Sequence, residues 1–389
     1  MEIISEINNA KLELREWRRY LHQIPETAFE EVQTAGFVAQ KLKEFGLEVH
    51  EKIAETGVVG ILRKGTGNKS IGFRADMDAL PIEEKNRFSY TSRNPGKMHA
   101  CGHDGHTVML LAAARHLALY GKFDGTISFI FQPAEENEGG ARRMIQEGLF
   151  EKFPVNAVYG LHNYPGLEVG KAAVRTGGIM ASFDTFDLKI TGVGTHGAMP
   201  HKGIDPIVVG AEVVGALQKI VSRATDPLLP IVLSVTRFQA GTTYNIIPES
   251  ARLAGSVRLT TPELLGQIEK KFKQICQGVC QAHGAKVDIT YEHRYPPVVN
   301  TPDETNLAVK AANLVLSDEN VDTNCPPLMG SEDFAWLMTS TPGSYILLGN
   351  GKGDKGGVMP HNPQYDFNDE LLPVGASYWI RLAEMSLTF

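Results

Sequence analysis

Residues 107–132, TVMLLAAARHLALYGKFDGTISFIFQ, contain a long apolar run followed by a short one. The first run, 107–120, is apolar enough to form a buried helix, and the second is typical of a strand that is buried on both faces. NAVYGLHN, at 156–163, has the same character as the second run. Buried strands that alternate with helices predict an α/β fold with a mixed sheet flanked by helices.

The same alternation extends towards the N-terminus. A helix is expected at 31–46, ending at Gly46, and strands are expected at 57–63 and 69–75. The first 24 residues place charges between regularly spaced apolar residues, which indicates an amphipathic helix rather than a signal peptide. No apolar run is long enough to span a bilayer.

A different order of elements begins at Ser182. It reads strand, helix, two strands, helix and strand, at 182–192, 205–225, 231–241, 250–260, 262–284 and 286–293. This β-α-β-β-α-β order is the signature of a ferredoxin-like domain. Because helices and strands of the first type resume after Pro297, we assign 1–181 and 295–389 to one α/β domain and 182–294 to an inserted ferredoxin-like domain.

Composition narrows the class of protein. A chain of 389 residues is long enough for two domains. The 38 Lys and Arg and 45 Asp and Glu give a net charge of -7, without long blocks of like charge, so nothing indicates a nucleic-acid or anionic-membrane partner. Four cysteines are too few for a disulfide scaffold and favour a reducing cytoplasm.

Potential metal ligands occur where the predicted strands or helices stop. They are Cys101, His103 and His106 in one cluster, the adjacent pair Glu135-Glu136, and the single residues His162 and His361. Such a set can fill two neighbouring divalent-metal sites and still leave a general base. Strand ends are also where α/β sheets place their chemistry. We therefore predict a two-metal hydrolase.

Two local patterns support this assignment. Cys101 and His103, two residues apart in a segment expected to be extended before a helix, can point to the same side. Glu135 and Glu136 point in different directions because they are adjacent, so one can bind metal while the other stays free. His106 leaves two alternatives open, a direct role at the metals or a hydrogen bond at the start of the helix.

The chain resembles the M20 metallopeptidases, and specifically the amidohydrolase branch of hippurate hydrolases, N-acyl-amino-acid aminoacylases and auxin-conjugate hydrolases. The cysteine of CGHDGH is typical of that branch, since other M20 branches have an aspartate there. The segments that carry the resemblance span nearly the whole chain: RRYLHQIPETAFEE, GFRADMDALPI, MHACGHDGHT, FQPAEENEGGA, GLHN, GTHGAMPHKGIDP, YNIIPE, GSEDFA and MPHNP.

The resemblance implies a role for each of these residues. The ligands of two divalent ions, which the donor set allows to be Zn, Mn, Co or Ni, would be Cys101, His103, Glu136, His162 and His361. Glu135 would be the general base, and Asp78 would orient a ligand from the outer shell. Asp76 stands where other branches have a histidine, and we do not assign it as a ligand.

The inserted domain would contribute to substrate recognition and assembly. By resemblance His196 helps polarise the scissile carbonyl, often in the active site of a partner subunit, and the inserted domain serves as a lid and dimerisation domain. Asn245 and Arg258 match the positions that contact the substrate carbonyl and α-carboxylate, the latter suiting a guanidinium. A homodimer, or a homotetramer, is expected.

The resulting prediction is metal-dependent hydrolysis of N-acyl-L-amino acids to a carboxylic acid and a free amino acid. Two alternatives stay open. An M20-type carboxypeptidase or dipeptidase would use the same metals, and the cysteine-bearing motif argues for the acylase branch. A non-catalytic, metal-stabilised binding protein is the second alternative, and the intact Glu135 argues against it.

Overall fold

A computed structural model describes residues 1–136 and 138–388, so Asn137 of the FQPAEENEGGA segment lies outside the described residues. Its α-helices are α1 (Ser5–Asn9), α2 (Lys11–Gln23), α3 (Val32–Glu44), α4 (His103–Leu119), α5 (Gly140–Gln146), α6 (Leu149–Lys152), α7 (Pro206–Arg223), α8 (Leu265–Ala282), α9 (Pro302–Leu316) and α10 (Leu371–Ser386). None of the helices in the described ranges is both long and apolar enough to cross a membrane.

The strands follow the same chain order. They are β1 (Glu48–Ile53), β2 (Gly57–Lys64), β3 (Ser70–Asp76), β4 (Gly125–Gln132), β5 (Ala157–Pro165), β6 (Ala172–Ala173), β7 (Gly177–Met180), β8 (Phe183–Thr191), β9 (Thr195–His196), β10 (Ile231–Ala240), β11 (Ile246–Ile247), β12 (Ser250–Leu259), β13 (Lys286–Tyr295), β14 (Val298–Asn300), β15 (Val321–Asp322) and β16 (Gly343–Gly351).

The chain divides into two compact units. The first comprises Met1–Ile179, Val299–Pro326 and Asp333–Phe389, and the second comprises Met180–Val298 and Pro327–Glu332. The domain assignment from the sequence differs in limiting the insertion to 182–294 and in placing 327–332 with the α/β domain. This short segment belongs to the second unit because Leu328 forms a β-bridge with Met180 and the Met329 carbonyl accepts a hydrogen bond from Arg258.

The first unit is built on an eight-stranded sheet of order β1-β2-β4-β3-β5-β16-β6-β15. β4, β3, β5 and β16 are parallel neighbours, whereas β1, β2 and β6 each pair with a neighbour in the antiparallel sense. The sheet is therefore mixed, as predicted. Parallel central strands place the C-terminal ends of β3, β4 and β5 at one edge of the sheet.

Helix α4, which contains most of the first apolar run of residues 107–132, lies in the core of this unit. Nearly every residue of α4 is buried, because the helix packs against α2 and α10 as well as β3. The strand that follows it, β4, is buried along almost its whole length. Phe73 of β3 and Trp379 of α10 add a ring contact at 4.7 Å to the same core.

The second unit has the predicted ferredoxin-like order. Its four-stranded antiparallel sheet runs β10-β12-β8-β13, and α7 and α8 pack on it. Helix α7 begins where the sequence supplies both starting signals: the Asp205 carboxylate accepts a hydrogen bond from the Ile207 N–H at 2.8 Å, and Pro206 occupies the first helical position. The rings of Phe186 and Phe272 contact each other in the core of the second unit.

Two element boundaries were predicted wrongly, and both carry ligand candidates. Helix α4 begins at His103 rather than at 107, because Gly102 adopts a left-handed conformation at the helix start, with φ 97°. Strand β5 continues to Pro165, so His162 lies within the strand rather than at its tip. The SEDFAWLM segment forms a 3₁₀ helix, Asp333–Thr339.

Candidate metal centre

The five predicted metal ligands of the first unit come from separate parts of the chain. Cys101 lies in the loop before α4, and His103 is the first residue of that helix. Glu136 follows the end of β4, and His162 lies near the end of β5. His361 belongs to the segment between β16 and α10.

These side chains form two overlapping groups. The ligand atoms of Cys101, His103 and His162 lie within 4.8 Å of one another, as do those of Cys101, Glu136 and His361. The Cys101 Sγ is 3.4 Å from His162 Nε2, and His361 Nε2 is 3.0 Å from Glu136 Oε1. Because Cys101 is common to both groups, the arrangement fits two neighbouring ions that share one thiolate.

The hydrogen bonding of the His103 ring shows that this residue suits a metal. Among the described residues its buried Nε2 has no hydrogen-bond partner, the Asp76 carboxylate being 3.7 Å away, while its Nδ1 lies 3.2 Å from Asp78 Oδ1. A buried imidazole nitrogen without a partner is costly unless something binds it. Burial lowers the pKa of His103, but the Asp76 carboxylate and then Cys101 outweigh it and hold this pKa well above its usual value, so a bound ion would displace a proton from the ring. Because Asp78 accepts the Nδ1–H, Nε2 is the nitrogen that would bind the ion.

A backbone carbonyl orients the His162 ring in a similar way. Its Nδ1–H donates to the Asn163 carbonyl at 2.6 Å, which directs Nε2 towards Cys101. Burial, followed by the neighbouring His106, holds the pKa of His162 well below its usual value. The ring is therefore neutral, which is the form that binds a metal.

Asp78 orients a second ligand candidate through its other oxygen. Its Oδ2 accepts a hydrogen bond from the Glu136 backbone N–H at 2.9 Å. One buried carboxylate thus holds His103 and the backbone that carries Glu136. This contact pattern is the one expected of an outer-shell residue.

His361 reaches the group through a strained backbone. Its φ is 64°, which is uncommon for a residue other than glycine. Its N–H donates to the Ala100 carbonyl at 2.8 Å, so its loop is attached to the residue that precedes Cys101. Strain of this kind persists where the surrounding structure imposes it, commonly at functional sites.

The electrostatics of the thiol and of His361 both favour a bound cation. Burial and then the Glu136 carboxylate raise the pKa of the Cys101 thiol, so its thiolate form needs a positive charge nearby. Hydrogen bonds with Cys101 and then Glu136 raise the pKa of His361 to about 10. A metal would displace that proton and supply the missing charge.

Glu135 lies beside these groups without belonging to either of the two that contain Cys101. It is buried, its Oε1 accepts a hydrogen bond from the Asp333 N–H at 3.3 Å, and it is close to His103 and Glu136. The two adjacent glutamates therefore have different surroundings. The ligand atoms of Glu135, Glu136 and His103 also lie within 4.8 Å of one another, and the assignment of Glu136 as ligand and Glu135 as base stays a prediction.

A buried polar network behind the site was not anticipated from the sequence. Arg74 donates to Asp76 Oδ2 at 2.7 Å, to Gln132 Oε1 at 2.7 Å and to Asp333 Oδ1 at 3.0 Å. All four side chains are fully or almost fully buried. The signal was present in GFRAD, where an arginine and an aspartate interrupt an apolar strand.

His106 belongs to this supporting layer. Its Nδ1 lies 2.6 Å from Asp76 Oδ1 and its Nε2 lies 2.7 Å from Asn163 Oδ1, so both ring nitrogens have partners. These hydrogen bonds run to β3 and β5 rather than to the start of the helix, where the second alternative had placed one. The pKa of Asp76 lies well below its usual value, because His103, His106 and Arg74 together outweigh the opposing effect of burial.

A second buried cluster surrounds Asp104, which follows His103. The His22 ring bridges Asp104 Oδ2 at 2.8 Å and Glu84 Oε1 at 3.2 Å, and the Arg18 guanidinium lies 3.8 Å from Asp104. Burial lowers the pKa of His22, but the hydrogen bonds to the two carboxylates outweigh it and raise the pKa to about 9. The first turn of α4 is thus fixed by a buried charge cluster.

The three predicted substrate residues lie in the second unit. His196 in β9 pairs with Ile246 in β11, and the Gly197 N–H donates to the Asn245 carbonyl at 2.8 Å, so His196 and Asn245 are neighbours. Both are exposed. A side chain at Gly197 would press on the Asn245 backbone, with a Cβ only 3.2 Å from its carbonyl oxygen.

Arg258 is on β12 of the same unit. Its guanidinium lies 4.6 Å from the centroid of the Phe183 ring and donates to the Met329 carbonyl at 3.2 Å. Burial lowers the pKa of this half-buried arginine without neutralising it. The Arg258 guanidinium is therefore held against the Phe183 ring and keeps N–H donors that can bind a planar anion such as a carboxylate.

Comparison with known proteins agrees with this geometry. The sequence profile of Peptidase family M20/M25/M40 matches residues 72–385. The chain belongs to this family. The predicted M20 resemblance is thus confirmed, and family membership together with the site makes the chain a metal-dependent hydrolase.

Relatives that match this M20 enzyme over nearly their whole length include two that are named for different activities. The hippurate hydrolase of Campylobacter jejuni is 43% identical over 383 residues, covering 98% of this chain and 99% of the relative. Thermostable carboxypeptidase 1 of Saccharolobus solfataricus is 35% identical over 387 residues, covering 97% of each. The higher identity falls on the acylase side.

A solved structure gives the metal count of a relative. The crystal structure of the Bacillus subtilis YXEP protein, a dinuclear metal binding peptidase from the M20 family, is 32% identical and has a TM-score of 0.85. The matched region covers 98% of this M20 chain and 99% of the YXEP chain. Together with the two groups that share Cys101, this similarity supports two divalent ions.

Proposed function

We propose that this M20 enzyme hydrolyses the amide bond of N-acyl-L-amino acids and releases a carboxylic acid and a free amino acid. The observation that carries the proposal is the pair of ligand groups that share Cys101, with buried Glu135 beside them and outside both. The similarity to a hippurate hydrolase supports an N-acyl-amino acid as substrate.

Glu135 performs the proton transfers in this proposal. Two bound divalent ions would supply a polarised water and a Lewis acid for the scissile carbonyl. Glu135 takes a proton from the attacking water and passes it to the amine nitrogen as the carbon–nitrogen bond breaks, so hydroxyl adds to the acyl carbon and hydrogen to the amine. Its buried position suits a base that must lose and regain a proton.

The second unit would supply the groups that recognise the substrate. His196 stabilises the negative charge that develops on the carbonyl oxygen, and Asn245 donates to the same region of the substrate. Arg258 binds the α-carboxylate, for which its stacked guanidinium is suited. A homodimer in which His196 serves the partner subunit remains our proposal for the assembly, and a cytoplasmic location remains a prediction.

The ligand set restricts the metal without selecting one ion. One thiolate, three imidazoles and a carboxylate suit Zn, Mn, Co or Ni, and availability decides among ions of similar affinity. We propose that the enzyme works with two ions from this group. Activity of metal-stripped protein reconstituted with each ion in turn would identify which ones support turnover.

The carboxypeptidase alternative rests on the similarity to the Saccharolobus enzyme. Both reactions use the same water and the same base, and they differ in whether the group on the carbonyl side is an acyl group or an aminoacyl group. The substrate panel therefore consists of N-acetylglycine, N-benzoylglycine and glycylglycine, with release of glycine as the readout.

Metal-loaded enzyme is expected to release glycine from both acylated compounds and to lose this activity in a chelator. Cleavage of glycylglycine alone would replace the acylase proposal with the peptidase alternative. Chelator-resistant cleavage would contradict a metal-dependent mechanism.

A further inference from the structure

A cavity of about 500 Å³ in the first unit is lined by Glu136, one of the candidate ligands. Its wall is mainly apolar and includes Phe29, Leu80 and Pro81, while Glu30 and Glu138 add carboxylates. The volume is within the usual range for small-molecule sites, roughly 300–1,000 Å³. We propose that this cavity binds the acyl group of the substrate and that Glu138 selects against acyl groups with a terminal carboxylate. The inference rests on the proposed function.

The apolar wall is held in place by its surroundings. Phe29 has a φ of 60°, and the Arg143 guanidinium lies 5.1 Å from the centroid of its ring. Leu80 exchanges two backbone hydrogen bonds, each 3.0 Å long, with Met98. Met98 lies three residues before Cys101 in the sequence. The cavity wall is therefore connected to the metal centre by the backbone and does not need to form around a ligand.

The charges of the cavity indicate which end of the substrate it takes. Its described lining contains three glutamates and neither lysine nor arginine. Glu30 is paired with Lys97 and Glu136 is a candidate metal ligand, so Glu138 is the carboxylate that disfavours the α-carboxylate of the amino acid here. The other end of an N-acyl amino acid is the acyl group, which an apolar wall suits.

The three glutamates differ in how much of their charge is compensated. Glu30 forms an ion pair with Lys97 at 2.5 Å, and Glu136 contacts His361 and is a candidate metal ligand. Glu138 is exposed and has no ion pair among the residues that the structure describes. Its carboxylate is therefore the one that would repel a second carboxylate on the acyl group, such as that of a succinyl group.

The first experiment compares kcat/KM of metal-loaded enzyme for N-benzoylglycine and N-acetylglycine. Phe29→Ala should lower the value for the benzoyl compound by about tenfold, because an aryl contact is lost, and leave the acetyl compound within about twofold. Ala28→Phe, which adds bulk to the lining, should show the same selectivity. Val32→Phe, at an exposed site outside the described lining, is the matched control.

The second experiment uses N-succinylglycine. Glu138→Lys should raise kcat/KM for this substrate by about tenfold while N-benzoylglycine changes little, because it replaces repulsion by attraction at the rim. Glu151→Lys, on an exposed helical residue outside the described lining, controls for the change in net charge.

The outcomes separate this inference from the proposed function. If metal-loaded wild-type enzyme cleaves neither acylated glycine, the proposed function fails and the inference fails with it. If the wild type cleaves both, and Phe29→Ala and Ala28→Phe change both substrates equally, only the acyl-cavity assignment is overturned. Should Phe29→Ala lose its fold, as shown by far-UV circular dichroism, the ratio measured for Ala28→Phe decides.

Discussion

The Asp78 carboxylate lies 3.2 Å from Nδ1 of His103, and the other ring nitrogen, Nε2, is buried without a hydrogen-bond partner in the part of the chain that the structure describes. This pairing fixes which nitrogen can bind a metal before any metal is present. It also connects β3 to the first residue of α4, because Asp78 follows the end of that strand. The metal centre therefore depends on a contact that is not itself a ligand contact.

Asp78→Asn should weaken metal binding by about 10–100-fold, because the amide no longer enforces the same tautomer of His103. Competition with a chromophoric chelator would measure the dissociation constants. Asp187→Asn, at an exposed site in the second unit, should leave them unchanged. Unaltered affinity in Asp78→Asn would show that its carboxylate has no part in holding the ligand.

Glu135→Gln should retain both metals and lower kcat by about 10²–10⁴-fold, because the amide cannot accept the proton of the attacking water. Metal content by elemental analysis and initial rates on N-benzoylglycine measure the two effects separately. The matched control is Glu151→Gln, which changes an exposed glutamate. A Glu135→Gln enzyme with nearly normal kcat would remove this residue from the mechanism.

Cys101→Ala and His361→Ala should differ in metal stoichiometry. Cys101 belongs to both ligand groups, so its loss should lower occupancy at both sites. His361 belongs to the one group that also contains Glu136, so its loss should leave about one ion bound. Elemental analysis after dialysis distinguishes the two. Full occupancy in Cys101→Ala would contradict a shared thiolate.

Arg258→Ala should raise KM for N-benzoylglycine by about tenfold or more, because a charge-assisted pair with the α-carboxylate is lost. N-benzoylglycinamide, which lacks that carboxylate, should be affected much less. Arg252→Ala, at an exposed position of the same strand, is the control. An equal effect on both substrates would assign Arg258 to structure rather than to carboxylate binding.

His22→Gln should destabilise the fold in a pH-dependent way. The pKa of His22 is raised to about 9 in the folded protein, above its unfolded value of about 6.5, so its charge stabilises the fold below pH ~6.5 and this contribution is lost as the pH rises to 9.

The difference in free energy of unfolding between wild type and His22→Gln should therefore be about 3 kcal/mol larger at pH 6 than above pH 9. Denaturant titrations at the two pH values measure it. His50→Gln, which changes a partly exposed histidine paired with Glu48, is the control for replacing a histidine by glutamine. A pH-independent difference at His22 would mean that the ring is neutral between Asp104 and Glu84.

Local sequence patterns determined the elements and the types of ligand. The apolar run of α4, the buried strands β4 and β5 and the β-α-β-β-α-β order follow from hydrophobic periodicity, which acts over a few residues at a time. The motif around Cys101 and the Glu135-Glu136 pair were also recognisable, because the residues of each are close together in the sequence. Boundaries were less secure where one backbone conformation mattered, as at Gly102, whose left-handed φ allows α4 to begin at His103.

Only the tertiary structure decided what His106 contacts and which residues form the buried network behind the ligands. His106 carries a ligand-type side chain, but Asp76 and Asn163 occupy both of its nitrogens, and these partners lie on β3 and β5. The cavity beside Glu136 likewise joins Phe29 and Leu80, which are far apart in the sequence. Such contacts depend on strand order and helix packing, which bring distant residues together, whereas the sequence pattern reports the preferences of neighbouring residues.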